Sequence, residues 1–356
     1  MYNYNLSNFE QIIFTMRKLS FLFSVLCLLS SCGRLEVLPK DSWTPVAHSA
    51  LEELIKTAPA DSYAVFDFDN TTIINDISMT LMAYTVDNMR FVFSASEAFE
   101  VFTSYIPDID IALGGIGRSA SELARELADD YAHLQLLKDE GTSVELLRNT
   151  PEWKRLKSNL FTLNEGLENT FDYGVWCQWQ PSLFKGMAYD ELASLTKESV
   201  RYWLDEGSMV VPKETLDLFA ALRKHSIEVY ICSASLEVIV EAMACDPEFG
   251  LDFSEDHVFG IRLADTQWVG GAFDPTYTPT FLEGKVACIE RFMCPAHNGA
   301  APILVSGDSG GDVAMLSTYS DALRLVYDCN RTGSIAEFIS SGQPRCVVQP
   351  RTQYSK

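Results

Sequence analysis

The sequence predicts an α/β protein: a parallel sheet with helices on its faces and a large helical insertion placed early in the chain. Three observations lead there. Short β-branched and aromatic runs ("YAVFDF", "EVYICSAS", "APILVSG", "LRLVYDC") end in small polar or acidic residues. Between them lie stretches whose apolar residues return every three or four positions, as core-facing helices require. From about residue 75 to residue 209 the strand runs stop and the pattern is helical throughout. Strand–helix alternation around a helical block is the pattern of a Rossmann-like core carrying an accessory domain.

Taken in order, the chain opens with the basic pair Arg17 and Lys18, directly after Met16, which is an alternative start to Met1. A short apolar run, "FLFSVLCLL", follows, then "LSSC" ending at Cys32 and Gly33. This order reads as a secretory signal peptide over residues 1–31, too short to span a bilayer comfortably. Its closing residues resemble the lipobox of bacterial lipoproteins. That resemblance implies lipidation of Cys32, a tether over 32–47, and a place in the bacterial cell envelope, periplasmic or at the outer membrane or cell surface. Gly33 lacks the aspartate that would argue for inner-membrane retention. Beyond Cys27 and Cys32 an odd number of the nine cysteines remains, so at least one thiol stays free. Proximity suggests Cys329 with Cys346 and Cys288 with Cys294 as disulfides in an exported protein.

The body then runs as a core over 48–74 and 210–356 and a helical cap over 75–209. A helix in "AHSALEELIKTA" leads to a strand at Tyr63–Phe68. "ASELARELADDYAHLQLLKDE" is a core-facing helix, and aromatic residues crowd Phe171 to Phe184. Pro212 stands where a helix starts, ahead of "KETLDLFAALRK". After "EVYICSAS" come a helix in "SLEVIVEAMAC", a hairpin or strand pair in "HVFGIRLADTQWVGGAFDP", a helix in "GKVACIERFMC", a strand–turn–helix in "APILVSGDSGGDVAML" and a final strand in "LRLVYDC".

In such sheets ligands bind outside the carboxyl ends of the strands. Asp67 and Asp69 end the first strand, Ser233 ends "VYICS", and Asp308 ends "ILVSG", so three strand ends converge on one crevice. Carboxylates gathered in a dry pocket raise a pKa or require a cation. Oxygen ligands of this kind suit Mg²⁺. Lys285 offers an ammonium for the same negative charge, and Ser233 with neighbouring backbone N–H groups, those of Ala234 among them, can hold phosphate oxygens. The net charge of −22 argues against a nucleic-acid partner, because neutralising phosphates needs clustered Lys and Arg. The five histidines are scattered and form no zinc pattern.

The ordered set DFDNT (Asp67–Thr71), Ser233, Lys285 and GDSGGD (Gly307–Asp312) resembles the four motifs of the haloacid dehalogenase superfamily, and the helical insertion resembles its C1 cap. The resemblance implies that Asp67 is a nucleophile forming an aspartyl-phosphate and that Asp69 is the general acid and base. Thr71 and Ser233 would bind phosphoryl oxygens or support the loop, and Ala234 would take part in phosphate binding. Lys285 would neutralise charge, and Asp67, the Asp69 carbonyl and Asp308 would bind Mg²⁺, with Asp312 in support. Asp69 implies a phosphomonoesterase, since dehalogenases lack an acid there. The sequence further resembles the phosphoserine-phosphatase-like branch, and within it phosphorylcholine phosphatases. Asp76 matches an acidic position that faces the substrate amine, although Asn75 stands where many relatives carry a second acid. A trimethylammonium group suits an aromatic cage, for which Tyr84, Tyr173, Trp176, Trp179 and Tyr189 are candidates. The implied substrate is a small phosphomonoester, phosphocholine or a similar amino-alcohol phosphate being favoured. A phosphoserine or broad-specificity phosphatase, and an inactive envelope binding protein on the same fold, are the alternatives.

Overall fold

The computed structural model describes residues 37–351. The expected signal peptide, Cys32 and the first part of the expected tether lie outside the described residues. No helix among the described residues is long and apolar enough to cross a membrane.

Helix α1 (Pro45–Thr57) starts at Thr44, whose hydroxyl accepts the Ala47 N–H, and leads to β1 (Tyr63–Phe66). Seven helices follow: α2 (Ile77–Asp87), α3 (Ala98–Thr103), α4 (Ala120–Asp139), α5 (Val144–Leu147), α6 (Pro151–Glu168), α7 (Tyr173–Ser182) and α8 (Tyr189–Asp205). The core resumes with α9 (Lys213–Lys224), β2 (Glu228–Leu236), α10 (Glu237–Ala244) and β3 (Val258–Ile261). Then come α11 (Glu283–Cys288), the one-turn α12 (Cys294–Ala296), β4 (Leu304–Gly307), α13 (Val313–Thr318), β5 (Leu323–Asp328), α14 (Ser334–Ser340) and β6 (Cys346–Pro350). The strands form one parallel sheet in the order β3-β2-β1-β4-β5-β6. The parallel α/β architecture expected from the sequence is therefore the one observed.

Alternation along β1 explains why both faces of the sheet are covered. Ala64 and Phe66 point into a layer that contains Leu218 and Phe219 of α9, whereas Tyr63 and Val65 point into a second layer with Ile289 and Met315. With both faces covered, the central strands read as continuous apolar runs rather than alternating ones. Strand β1 stops at Phe66, two residues short of the expected Phe68. There the Phe68 carbonyl turns back to accept the Thr72 and Ile73 N–H groups, so Asp67, Phe68 and Asp69 lie on a loop at the carboxyl edge of the sheet.

Helix α4 is nucleated by a capping box in which Ser119 and Glu122 satisfy each other's backbone N–H. The hairpin expected after His257 is short. Val258–Ile261 is a sheet strand parallel to β2, and the pairing lies beyond it, at the antiparallel bridge of Leu263 with Phe273, where Ala264 N–H donates to Ala272 O and Asp274 N–H to Arg262 O. That segment reaches the helical block, where Gly186 N–H donates to Val269 O and Val269 N–H to Met187 O. Neither expected disulfide forms, since Cys288, Cys294 and Cys346 are all thiols. Strand β6 and helix α14 extend the core beyond the last strand read from the sequence.

Trp179 is fully buried in α7 and donates its indole N–H to the Phe102 carbonyl at 3.0 Å. It is a packing residue. Trp179→Ala is expected to cost about 3–5 kcal/mol in denaturant unfolding, whereas a ligand-binding role would leave the midpoint unchanged.

Candidate active site

Strand ends and one helix assemble the site. Asp67 follows β1, Asp308 follows β4, and Lys285 projects from the first turn of α11. All three are buried. Lys285 Nζ donates to Asp67 Oδ1 at 2.5 Å and to Asp312 Oδ1 at 2.6 Å. The other oxygen of Asp312 accepts the N–H groups of Asp308 (3.1 Å) and Ser309 (3.0 Å). Asp312 thus ties the ammonium to the loop that carries Asp308. Glycine is required here, because a Cβ on Gly307 would lie 2.4 Å from the Asp312 side chain. Gly284 is similarly constrained, with a Cβ falling 1.8 Å from the Pro279 carbonyl oxygen. These close approaches seat Lys285 beside the carboxylates.

Burial dominates the electrostatics. It drives the Asp67 carboxyl up from 3.8 to about 8, with Asp312 adding to the rise and Lys285 opposing it. For Lys285, burial disfavours the ammonium, but Asp312 and Asp67 outweigh it and hold its pKa above the ordinary lysine value. The two partners are thus pulled in opposite senses. The 2.5 Å contact decides for a charged Lys285 facing an ionised Asp67. Asp308 is raised to about 6 by burial, against the guanidinium of Arg331, whose Nε lies 2.8 Å from Oδ2.

Asp69 differs in kind. Its Oδ1 accepts the Ile77 N–H and its Oδ2 the Ser235 hydroxyl, both at 2.7 Å. Burial, then Asp76 and Asp67, push its pKa well above the ordinary value, against the Ile77 N–H and the Ser235 hydroxyl. Its surroundings favour the neutral acid.

Asp67, Asp308 and Asp312 present oxygens within 4.8 Å of one another. Three buried carboxylates are a hard donor set of the kind that holds Mg²⁺. Asp312 is already committed to Lys285 and two amides, so Asp67 and Asp308 are the residues with capacity to bind the ion. The Asp69 carboxylate is not in this group, which leaves its carbonyl as the donor the motif implies. Thr71 is buried and its hydroxyl lies 3.5 Å from Asp308 Oδ1.

A crevice of about 640 Å³ opens over these groups. On the core side it is lined by Asp67, Asp69, Lys285 and Asp308, and on the helical side by Asp76, Glu168, Tyr173 and Trp176. Asp76 caps α2, accepting the Met79 N–H at 2.8 Å. Asn75 serves the backbone instead, adopting a φ of 84° and donating to the Ser208 carbonyl. Ala234 and Ser235 line the crevice, but Ser233 is fully buried beneath them and its hydroxyl accepts the Ser235 N–H. Of the five candidate aromatics only Tyr173 and Trp176 face the crevice. Tyr84 packs on Tyr202, Tyr189 donates to the Asp265 carbonyl, and Trp179 is core.

Sequence reasoning missed Glu168, Ser235 and Arg331. Arg331 lies just past the end of β5, where the strand-end rule reaches it. Ser235 lies in "CSAS", already singled out for Ser233. Glu168 sits at the end of a helix and carries no local signal.

A haloacid dehalogenase-like hydrolase profile matches residues 140–317, half of the chain. The protein belongs to this hydrolase family. The matched span begins after Asp67–Thr71, and it is the parallel sheet that brings those residues to Lys285 and Asp308. Among characterised proteins, phosphorylcholine phosphatase from Pseudomonas aeruginosa is 24% identical over 328 residues, covering 81% of this chain and 80% of that protein. Among solved structures, a conserved protein of unknown function from Anaerococcus prevotii shares the fold with a TM-score of 0.77 at 23% identity, over 87% of this chain and 94% of that one.

The raised Asp308 carboxyl sets a pH dependence. It favours the protonated form in the fold, so its contribution to stability is greatest below its unfolded pKa, near 3.8, and is lost as pH rises through about 6. A bound divalent cation offsets that loss. The melting temperature of metal-free protein is expected to fall from about pH 5 to about pH 8, and Mg²⁺ to raise it more at the higher pH. An equal Mg²⁺ effect at both values, or none, contradicts the assignment.

Proposed function

We propose that the protein is a phosphomonoester hydrolase that works through an aspartyl-phosphate on Asp67. The observation that carries this reading is the division of labour between two neighbouring carboxylates in one crevice. Asp67 meets a buried ammonium, which favours its ionised form for attack, whereas Asp69 meets an amide and a hydroxyl, and burial favours its protonated form. Different partners for two carboxyl groups in one crevice assign nucleophile and acid.

Lys285 holds the attacking oxygen of Asp67 in place and neutralises charge on the incoming phosphoryl group. Asp69 protonates the departing alkoxide and then takes a proton from the attacking water. Backbone N–H groups around Ala234, near the end of β2, would hold phosphoryl oxygens. Mg²⁺, when bound by Asp67 and Asp308, would screen the charge of the phosphoryl oxygens.

The favoured substrate is phosphocholine or a similar amino-alcohol phosphate, set in place by a helical cap over about 75–209. Tyr173 and Trp176 meet with ring centroids 5.3 Å apart at 63°, which gives two aromatic faces at an angle. Asp76 and Glu168 stand beside them, so Glu168 supplies the second carboxylate that Asn75 does not. A cationic head group suits such a corner. The resemblance to the Pseudomonas phosphatase supports the same choice. The lipid anchor at Cys32, and with it the envelope location, belongs to this proposal. Palmitate labelling that disappears in Cys32→Ser is the expected outcome, and labelling that persists contradicts it.

Asp67→Asn is expected to abolish phosphate release from every ester tested, with the fold intact by circular dichroism. Retained turnover would falsify the nucleophile assignment. Glu168→Gln and Trp176→Ala are each expected to raise KM for phosphocholine about three- to thirtyfold, with a much smaller change for an uncharged alkyl phosphate. Equal changes for both esters would remove the cation-binding role.

A further inference from the structure

Both carboxyl oxygens of Asp69 are engaged, but by partners of different kinds. The Ile77 N–H, at the start of α2, meets Oδ1, and the Ser235 hydroxyl, at the end of β2, meets Oδ2. An amide N–H can only donate, so the oxygen it bonds stays unprotonated. A hydroxyl donates or accepts as its neighbour requires. A proton carried by Asp69 therefore belongs on Oδ2, and Ser235 is the partner able to bond that oxygen both as acid and as carboxylate.

Behind Ser235 stands a second hydroxyl. Ser78 Oγ lies 2.9 Å from Ser235 Oγ, and either can be the donor. When Ser235 donates to the Asp69 carboxylate, Ser78 donates to Ser235. When Asp69 carries its proton and donates it, Ser235 accepts and donates onward to Ser78. The pair can reverse direction without moving a heavy atom. Ser235 is buried, and both serines line the crevice together with Asp69.

We propose that Ser235 is a positioning residue for the acid–base step, one that fixes Oδ2 of Asp69 at the ester oxygen and reverses its hydrogen bond as the proton leaves and returns. The proposal rests on the aspartyl-phosphate reading above. In the first half-reaction an Asp67 oxygen bonds phosphorus and the ester P–O bond breaks. Its electron pair passes to the ester oxygen, which takes the Oδ2 proton as that proton leaves its hydrogen bond to Ser235. Ser235 then turns its hydrogen toward the new carboxylate. In the second half-reaction water bonds phosphorus, the bond to Asp67 breaks to regenerate its carboxylate, and a water proton passes to Oδ2. Inorganic phosphate leaves, and Ser235 returns to accepting.

The test uses two esters that differ in their need for a proton. An aliphatic alkoxide leaves only when protonated, whereas nitrophenolate leaves without one. Single-turnover alcohol release is compared for an alkyl phosphate and nitrophenyl phosphate in the wild type, Ser235→Ala and Ser235→Thr. Ser235→Ala is expected to slow release from the alkyl ester about 10- to 100-fold, the worth of a hydrogen bond to a charged group. Release of nitrophenolate should slow far less, and Ser235→Thr should restore most of the alkyl rate. Equal slowing of the two esters, or none for the alkyl ester, overturns the proposal. Asp67→Asn run beside them separates the two levels: activity surviving there overturns the nucleophile reading itself, whereas an inactive Asp67→Asn with equal slowing in Ser235→Ala overturns only the role of Ser235.

Discussion

Negative charge forced out of water is the constraint around which this protein is built. Asp67, Asp308 and Asp312 are buried together, an arrangement that costs several kcal/mol per unpaired ion. Lys285 partly offsets that cost by lying between Asp67 and Asp312, and Arg331 reaches Asp308 from the end of β5. The rest of the core follows from keeping these groups in contact. Helix α11 has to come close enough for its lysine to reach two strand ends, which is why Gly284 packs against the Pro279 carbonyl and Gly307 against Asp312. The apolar layers on the two faces of the sheet fix the strand ends, and the strand ends fix the charges.

The same crevice holds a carboxyl group treated in the opposite way. Asp69 is two residues from Asp67, yet its partners are an amide and a hydroxyl. A single loop therefore delivers one carboxylate to a cation and its neighbour to an environment that favours the protonated form. Asp76 and Glu168 make the far wall acidic as well. Burial raises the pKa of Glu168, with Arg331 opposing and Asp76 adding to it. A ligand that carries a phosphate at one end and a cation at the other would relieve repulsion at both walls.

Much of this was legible in the sequence because buried parallel strands leave a strong mark. "YAVF" and "LVSG" are apolar without alternation since both faces of the sheet are covered, and the charged residues after them stand out for that reason. Asp67, Asp69 and Asp308 could be found by that rule alone, and Lys285 by the resemblance of its motif. What stayed hidden depended on three-dimensional neighbours. Trp179, Tyr84 and Tyr189 are chemically suited to a cage, but helix orientation turns them into the core or away from the crevice. Glu168 reaches Asp76 only because α6 ends beside α2. Ser233 carries the motif, yet it is Ser235, at the end of β2, that meets the acid. The hairpin after His257 is present but short, and its tip crosses to the helical block, where Val269 meets Gly186 and Met187. The cysteines close in sequence are thiols: Cys288 is buried, and Cys294 lies 3.2 Å from the Tyr63 hydroxyl.

The central claim is that buried charge makes Asp67 a nucleophile toward phosphorus. The most direct measurement is an acid quench during turnover of a phosphate-labelled ester, followed by peptide mapping of the trapped protein. The account predicts acid-stable, hydroxylamine-sensitive label on the peptide that contains Asp67. Steady turnover with label on another peptide, or with none on the protein at any quench time, would contradict it.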